Sequence, residues 1–431
     1  MIINFARRAH SHNWELDPIT RSLLDTDFYK LLMLQFIWKN FPDTSTSFRL
    51  INRSTQVRLG ELIDLEELRE QLEQTRRLRF RKSELIWLAG NTFYGTRGIF
   101  EPAFLDWLER GFQLSNYELA VRDGQLSLVF RGLWIETTMW EIHALSILSE
   151  LKTRASLKRL SEFELDILYA RAKTRLWEKM ERLRGVPGLK ISDFGTRRRH
   201  SFLWQEYVVK AMSDVLGASL AGSSNAYLAY KHDLEAIGTN AHELPMALAA
   251  MAESDEGLKA SQYRLLELWQ RTYQGELLIL LPDTFGTTQF LQGAPEWVAD
   301  WTGQRADSKD PFAAGDEYIA WLQERGRDPR TKLFIASDSL DIDLILKLHA
   351  HFARRIRFSA GWGTLLTNDF RGCDPRGGGG FDPVNLVCKL DSVEGRPAVK
   401  LSDDPQKSLG PEPEIARYRR VFGTGSGVDR R

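Results

Sequence analysis

The sequence predicts an α/β fold: a seven-stranded parallel βα barrel, preceded by an α+β domain to which two C-terminal strands return. Three observations point there. Between residues 189 and 361, seven short apolar runs alternate with helical patterns, and strand–helix alternation builds a parallel sheet with helical crossovers. Polar, charged and glycine residues follow each run. The first 130 residues lack that rhythm and mix helical spacing with two-residue alternation, as α+β layers do.

In chain order, Leu24–Trp38 and Leu62–Leu78 have apolar residues at helical spacing, while TSFRLIN and QLSLVFR alternate like strands. From Trp140 to Ala172 the chain is rich in Leu, Glu, Ala, Lys and Arg, strong helix formers that predict long helices. The seven runs are LKIS (189–192), GASLAG (217–222), EAIGT (235–239), ELLILLP (276–282), GQRA (303–306), KLFIAS (332–337) and RIRFSAG (355–361). The glycine-rich stretch 371–382 should be a mobile loop. NLVCKLDSVEGRPAVKLS reads as two strands turning at Glu394–Gly395 and returning to the first domain, and the tail GTGSGVDRR as disordered. The expected domains are 1–135, 136–370 (helical lead-in and barrel) and 371–431.

Composition narrows the function. Of the 431 residues, 43% are hydrophobic and 27% charged, with zero net charge; this balance fits a globular protein and gives no general attraction to nucleic acid. The basic run TRRLRFRKS is short enough to be a solvated face. Two cysteines, Cys373 and Cys388, form no CxxC pair and suit a reducing compartment. The start lacks an export signal, and no stretch has the roughly 18 apolar residues of a membrane span. The expectation is a cytoplasmic protein with no membrane partner.

Chemistry clusters after the strands: DFGTRRRH, GSSN, GTNAHE, PDT, ADSKD, SDSLD and AGWGT. In a parallel barrel those ends share one face, the face that hosts active sites. Singly, each Gly or Asp could be a turn former or helix cap, and a lone His such as His242 is more often structural. Convergence makes the difference. Arg197 and Arg305 can grip phosphates or a carboxylate. Gly361, Gly363 and Thr364 offer backbone N–H groups to a phosphate. Asp283, Asp307 and Asp338 can bind ribose hydroxyls, orient a histidine or hold Mg²⁺-bound water. A phosphorylated sugar fits this set, and Walker A, GxGxxG and HExxH sequences are absent.

Nine motifs, in order, resemble bacterial nicotinate phosphoribosyltransferases: LLDTDFYKLLM, ETTMWEIHALSIL, DFGTRRRHSF, GSSNAYLA, IGTNAHE, RADSKDP, ASDSLD, AGWGTLLTND and KLSDDPQKSLGP. They span Leu23 to Phe422. The resemblance implies the type II phosphoribosyltransferase fold, an irregular barrel working as a homodimer with shared active sites. It implies that nicotinate and phosphoribosyl pyrophosphate are joined, with Mg²⁺, and coupled to ATP. His242 resembles the histidine phosphorylated by ATP, and Asp283 the carboxylate that orients it. Phe194 and Arg197 resemble the residues on the nicotinate ring and near its carboxylate. Tyr29 resembles the aromatic that closes the ring pocket from the other subunit. Arg305, Asp307 and Asp338 resemble binders of phosphoribosyl pyrophosphate, and Gly361, Gly363 and Thr364 its 5′-phosphate cradle.

Three residues depart from the family pattern: Lys309 where Gly is usual, Ser223 for Thr, and Trp362 for a smaller aliphatic. Lys309 needs either ordinary backbone or left-handed strain, and adds charge near the phosphates. Rival readings are a nicotinamide- or quinolinate-using phosphoribosyltransferase and a non-catalytic phosphate-binding barrel. Ser224 bears on the first: nicotinamide-using relatives carry an acid there, which would repel a carboxylate substrate. An aldolase or isomerase would need a Schiff-base lysine or general base at a strand end, for which Lys309 is the one lysine in the seven strand-end motifs.

Overall fold

The computed structural model describes residues 17–424 except 94 and 96; the start read as lacking an export signal, and the tail from 425 onward, lie outside the described residues. The first helix runs Phe28–Asn40 and is buried on every face from Phe28 to Ile37. It is therefore not the amphipathic element expected over 24–38 but one apolar all round. The residues before it turn back on themselves and end in an isolated bridge. Asp27 bridges Asn225, and the Phe28 N–H donates to the Ser224 carbonyl at 2.6 Å. The helix expected over 62–78 is split into Leu59–Leu62 and Leu65–Arg76. Asp64 causes the break by capping the second piece, accepting from the Glu66 and Glu67 N–H groups at 2.9 and 3.2 Å.

The N-terminal strands are β1 (Ser45–Asn52), β2 (Tyr117–Arg122) and β3 (Gln125–Leu133). Helices Trp140–Leu157 and Glu162–Leu183 follow. The barrel strands are β4 (Ile191–Asp193), β5 (Leu220–Ser223), β6 (Ile279–Leu280), β7 (Gly303–Ala306), β8 (Leu333–Ala336) and β9 (Arg357–Trp362). The C-terminal pair is β10 (Leu386–Val393) and β11 (Arg396–Pro397), turning through Glu394 and Gly395 at φ of 50° and 71°. One sheet is antiparallel in the order β11-β10-β1-β3-β2, so β10 lies beside β1 across almost the whole length of both; the other is parallel, β5-β4-β9-β8-β7-β6.

The parallel sheet thus has six strands where seven were expected. Residues 235–239 contribute a single bridge, Ser223 to Ala236. They turn away at Gly238, where the backbone passes so close to Tyr29 that a Cβ would lie 2.6 Å from the Tyr29 nitrogen. The start of the first helix occupies the space a longer seventh strand would need. A hollow of about 1200 Å³ lies against the parallel strands, lined among others by Ser192, Ala221, Ser359 and Phe194. The loop 371–382 is tied down by Arg171 and Arg175, which donate to its backbone carbonyls, and by the paired bonds of Arg376 to Glu164 at 2.6 Å.

Beneath the barrel face, Arg199 and Asp25 form a fully buried ion pair with N–O distances of 2.7 and 2.8 Å. His143 lies near this pair, fully buried, and neither ring nitrogen has a hydrogen-bond partner. Burial pulls its pKa down to about 4, against the attraction of Asp25. The unfolded chain, with an ordinary histidine near 6.5, binds the proton first as pH falls, so stability drops between pH 6.5 and 4. By that linkage His143 should remove about 2.5 kcal/mol between pH 7 and 4.5. Denaturant melts at both pH values should show His143→Leu losing that much less than the unsubstituted protein; equal losses would refute the assignment. Comparing the two proteins is essential because Asp193, held up to about 6 by burial, changes stability in the opposite direction.

Candidate active site

The strand-end polar residues divide into two groups. Asn225, Asp310 and Asp341 accept from N–H groups three residues ahead and cap the helices that follow. Asp283, Asp307 and Asp338 do not cap. Asp307 and Asp338 line a cleft of about 400 Å³ above the barrel, together with Phe194, Arg197, His242, Arg305, Gly363 and Thr364. That volume lies within the range of small-molecule sites.

His242 stands at the cap position of helix Glu243–Met251, yet makes no capping bond with its side chain. Its Nε2–H donates to Asp307 Oδ2 at 3.1 Å, and its Nδ1 meets the Thr284 hydroxyl at 3.0 Å. Asp283, the expected orienting carboxylate, is 3.6 Å from Nε2, too long for a hydrogen bond. Its Oδ2 is engaged by the Ser308 hydroxyl at 2.5 Å. Asp307 therefore orients the imidazole. Because a carboxylate only accepts, the proton sits on Nε2 and the lone pair on Nδ1. Burial lowers the His242 pKa, opposed by Asp283 and Asp307, and keeps the ring neutral at pH 7. His242, Asp283 and Asp307 place one ligand atom each within 4.8 Å of one another. The buried Asp283 Oδ1 has no hydrogen-bond partner. Two carboxylates with an unfilled oxygen suit a hard divalent ion or its bound water.

Tyr29 lines a small cavity next to the cleft, with Arg197, His242, Glu141 and Lys389 of the same chain. Tyr29 thus stands beside the Arg197 and His242 of its own chain, held there because the turn before the first helix bonds to residues 224–227. Arg197 makes ion contacts of 3.8 Å to Asp27 and 3.7 Å to Glu141. Both are longer than hydrogen bonds, so its planar donors remain available to a bound anion. Ser224 does not line the cleft; its hydroxyl donates to Asp27 Oδ1 at 2.8 Å, and it acts on Arg197 through Asp27. Gly361 is no phosphate cradle either. A Cβ there would lie 2.3 Å from Phe194 Cε2, so this glycine gives the Phe194 ring its seat.

The departures prove mild. Lys309 has no left-handed backbone, and its ammonium is bound by Glu317 at 2.7 Å and Thr288 at 3.0 Å, away from the cleft. Trp362 is buried, its indole N–H donating to the Leu340 carbonyl. Ser223 donates to Asp193 at 2.8 Å.

What sequence reasoning missed is a ring of cations. Arg53, Arg198 and Arg371 line one side of the cleft; Lys389, Lys400 and Lys407 enter from the C-terminal segment. With Arg197 and Arg305 they face two carboxylates, Asp307 and Asp338, the latter paired to Lys407 at 2.7 Å. The crowding has a measurable sign: burial, then Arg197 and Arg53, pull Arg198 down to about 10. Burial likewise lowers Lys400, opposed by Asp283 and Asp307 and aided by Lys389 and Lys407. One signal was legible: Lys389 interrupts the apolar first half of its strand, and Lys400 and Lys407 sit inside KLSDDPQKSLGP.

Comparison with known proteins agrees over most of the chain. The model of the nicotinate phosphoribosyltransferase family matches residues 189–426, and that of its N-terminal domain residues 24–149. The fold superposes on a nicotinate phosphoribosyltransferase from Vibrio cholerae with a TM-score of 0.85, at 33% identity over 96% of both chains. For the Porphyromonas gingivalis enzyme the TM-score is 0.82, at 30% identity over 94% of this chain and 100% of the other. For a putative nicotinate phosphoribosyltransferase from Saccharomyces cerevisiae it is 0.80, at 27% identity over 94% and 99%.

Proposed function

The chain belongs to the nicotinate phosphoribosyltransferase family, which joins nicotinate to phosphoribosyl pyrophosphate in pyridine nucleotide salvage, and from that premise we propose how its cleft divides the work. The observation that carries the reading is the cationic ring set beside one neutral, carboxylate-oriented histidine. A phosphate monoester carries about −1.5 to −2 charges at pH 7, and the crowded arginines and lysines are stabilised when such groups enter.

The nicotinate ring lies between Phe194 and Tyr29, with its carboxylate on Arg197. Gly363 and Thr364 receive the 5′-phosphate; Arg305, Asp307 and Asp338 hold the ribosyl pyrophosphate; Arg198, Lys389, Lys400 and Lys407 compensate its charge. The pyridine nitrogen attacks the anomeric carbon as the pyrophosphate oxygen leaves. That nitrogen has no proton to lose, so no strong general base is needed. The protein contributes alignment and electrostatic stabilisation of positive charge on the sugar. Asp283 and Asp307 would hold Mg²⁺ or its water, and the ion when bound neutralises charge on the departing pyrophosphate.

ATP enters separately. The Nδ1 lone pair of His242 forms a bond to the γ-phosphorus, the phosphorus–oxygen bond to ADP breaks, and Nε2 keeps its proton, hydrogen-bonded to Asp307. For this the Thr284 hydroxyl turns away from Nδ1. A homodimer in the cytoplasm completes the reading. It rests on the family resemblance and on two buried free thiols, Cys373 and Cys388.

Purified protein supplied with nicotinate, phosphoribosyl pyrophosphate, Mg²⁺ and ATP should form nicotinate mononucleotide, followed by absorbance, with strong preference over nicotinamide; no product would overturn the assignment. Ser224→Asp should narrow that preference by about 1–3 kcal/mol. It would place a second carboxylate against Asp27 and withdraw Arg197 from the substrate. An unchanged ratio of kcat/KM values would remove Ser224 from the specificity argument.

A further inference from the structure

A chain of buried charges runs behind the cleft. Lys30, fully buried, binds Glu141 Oε2 at 2.8 Å and Glu243 Oε2 at 2.5 Å. Glu243 is fixed on its other oxygen by the Trp134 indole N–H at 2.6 Å and the Thr138 hydroxyl at 2.7 Å. Glu141 turns its second oxygen outward. Oε1 accepts from Lys389 Nζ at 3.2 Å and stands 3.7 Å from Arg197 Nη1. The Glu141 side chain is only 4% exposed, whereas Lys389 and Arg197 are 21% and 38% exposed. One buried carboxylate therefore lies under two cations that face the cavity.

The local chemistry gives this arrangement a purpose. A lysine ammonium on a four-carbon stem has no geometry of its own, and two cations placed side by side repel unless an anion lies between them. Lys30 is held charged, and Glu141 well below the usual carboxylate range, despite burial, because each lies against its opposite charges. A purely structural pair would be satisfied by Lys30 alone; the outward oxygen has no structural partner other than the two cavity-facing cations.

We propose that Glu141 is a positioning residue: its Oε1 sets Lys389 against the phosphoribosyl pyrophosphate and Arg197 against the nicotinate carboxylate, so that one buried charge aligns the binding of both substrates. This rests on the assignment of Arg197 and Lys389 to those two ligands. Glu141 touches neither substrate and acts through the two cations.

The test is a double-mutant cycle on steady-state constants with the full chain, comparing the unsubstituted enzyme, Glu141→Gln, Lys389→Met and the double variant. Glu141→Gln should raise the KM for nicotinate and for phosphoribosyl pyrophosphate together, each about tenfold, the scale of a misplaced charged contact, with a much smaller change in kcat. Lys389→Met should raise mainly the KM for phosphoribosyl pyrophosphate. In the Lys389→Met background, Glu141→Gln should add nothing to that constant yet still raise the one for nicotinate, because Arg197 remains.

Additive effects on the phosphoribosyl pyrophosphate constant would overturn the proposal. So would a Glu141→Gln enzyme that melts earlier with both constants unchanged, which is the signature of a merely structural role. If Lys389→Met leaves the phosphoribosyl pyrophosphate constant unchanged, the assignment of Lys389 falls and this inference with it, while turnover of nicotinate by the unsubstituted enzyme still stands. Should Glu141→Gln fail to fold, Glu141→Asp keeps the charge for Lys30 and withdraws it from Lys389; the same non-additivity must then appear, and its absence counts against the proposal.

Discussion

Arg197→Met should cost the enzyme about 100- to 1,000-fold in kcat/KM for nicotinate, or about 3–4 kcal/mol of transition-state binding. The expectation follows from the loose contacts of the guanidinium. At 3.7 and 3.8 Å from its two acidic neighbours, it is placed by the protein but not saturated by it, and its paired donors match a carboxylate. Methionine preserves length and apolar contact with the ring pocket while removing every donor. Nicotinamide turnover, however low, should change far less, because an amide makes no charge-assisted pair. Parallel kinetics with both substrates decide the matter. An equal loss for the two would mean that Arg197 supports the pocket without reading the carboxylate.

His242→Ala should abolish ATP hydrolysis, with a fall of at least about 1,000-fold, as expected on removing a nucleophile. It should leave slower, ATP-independent phosphoribosyl transfer, because Arg305 and Asp338 do not depend on the imidazole for their position: Arg305 donates to the Asn240 carbonyl and Asp338 pairs with Lys407. A helix-capping role has no support in the geometry, since the side chain makes no capping bond. After incubation with ATP, the unsubstituted protein should carry acid-labile, base-stable phosphate, and the variant none. Hydrolysis of ATP by His242→Ala at the unsubstituted rate would end the phosphohistidine assignment.

Six strands of the parallel sheet were legible because their ends announce themselves locally: an apolar run followed by Gly, Asp or Arg. Local pattern also located His242, Arg305, Asp307 and Asp338 at one face. It could not choose between Asp283 and Asp307 as the partner of His242, since both follow strands and the choice depends on side-chain directions in three dimensions. Nor could it show that Tyr29 stands beside Arg197 and His242 of its own chain, because nothing near that residue encodes the pairing of its segment with 224–227, some 200 positions away. Gly361 was misread for a related reason: a glycine that admits a phosphate and one that admits a phenyl ring look alike in sequence. The lysines escaped because Lys389 lies on a returning strand and Lys400 and Lys407 in the irregular segment after it, and only long-range packing brings that segment to the cleft.

That pairing has a consequence for how the protein is made. Strand β10 lies against β1 from Thr46–Val393 to Asn52–Leu386, so β1 leaves the ribosome with one edge bare and waits for a partner more than 330 residues downstream. At 5–20 residues per second the wait is roughly 20–70 seconds. Throughout that interval an unpaired strand edge is available to other nascent chains. Yield of folded enzyme should therefore track translation speed and holdase capacity, and a strand near the end of the chain decides whether the first one is safe.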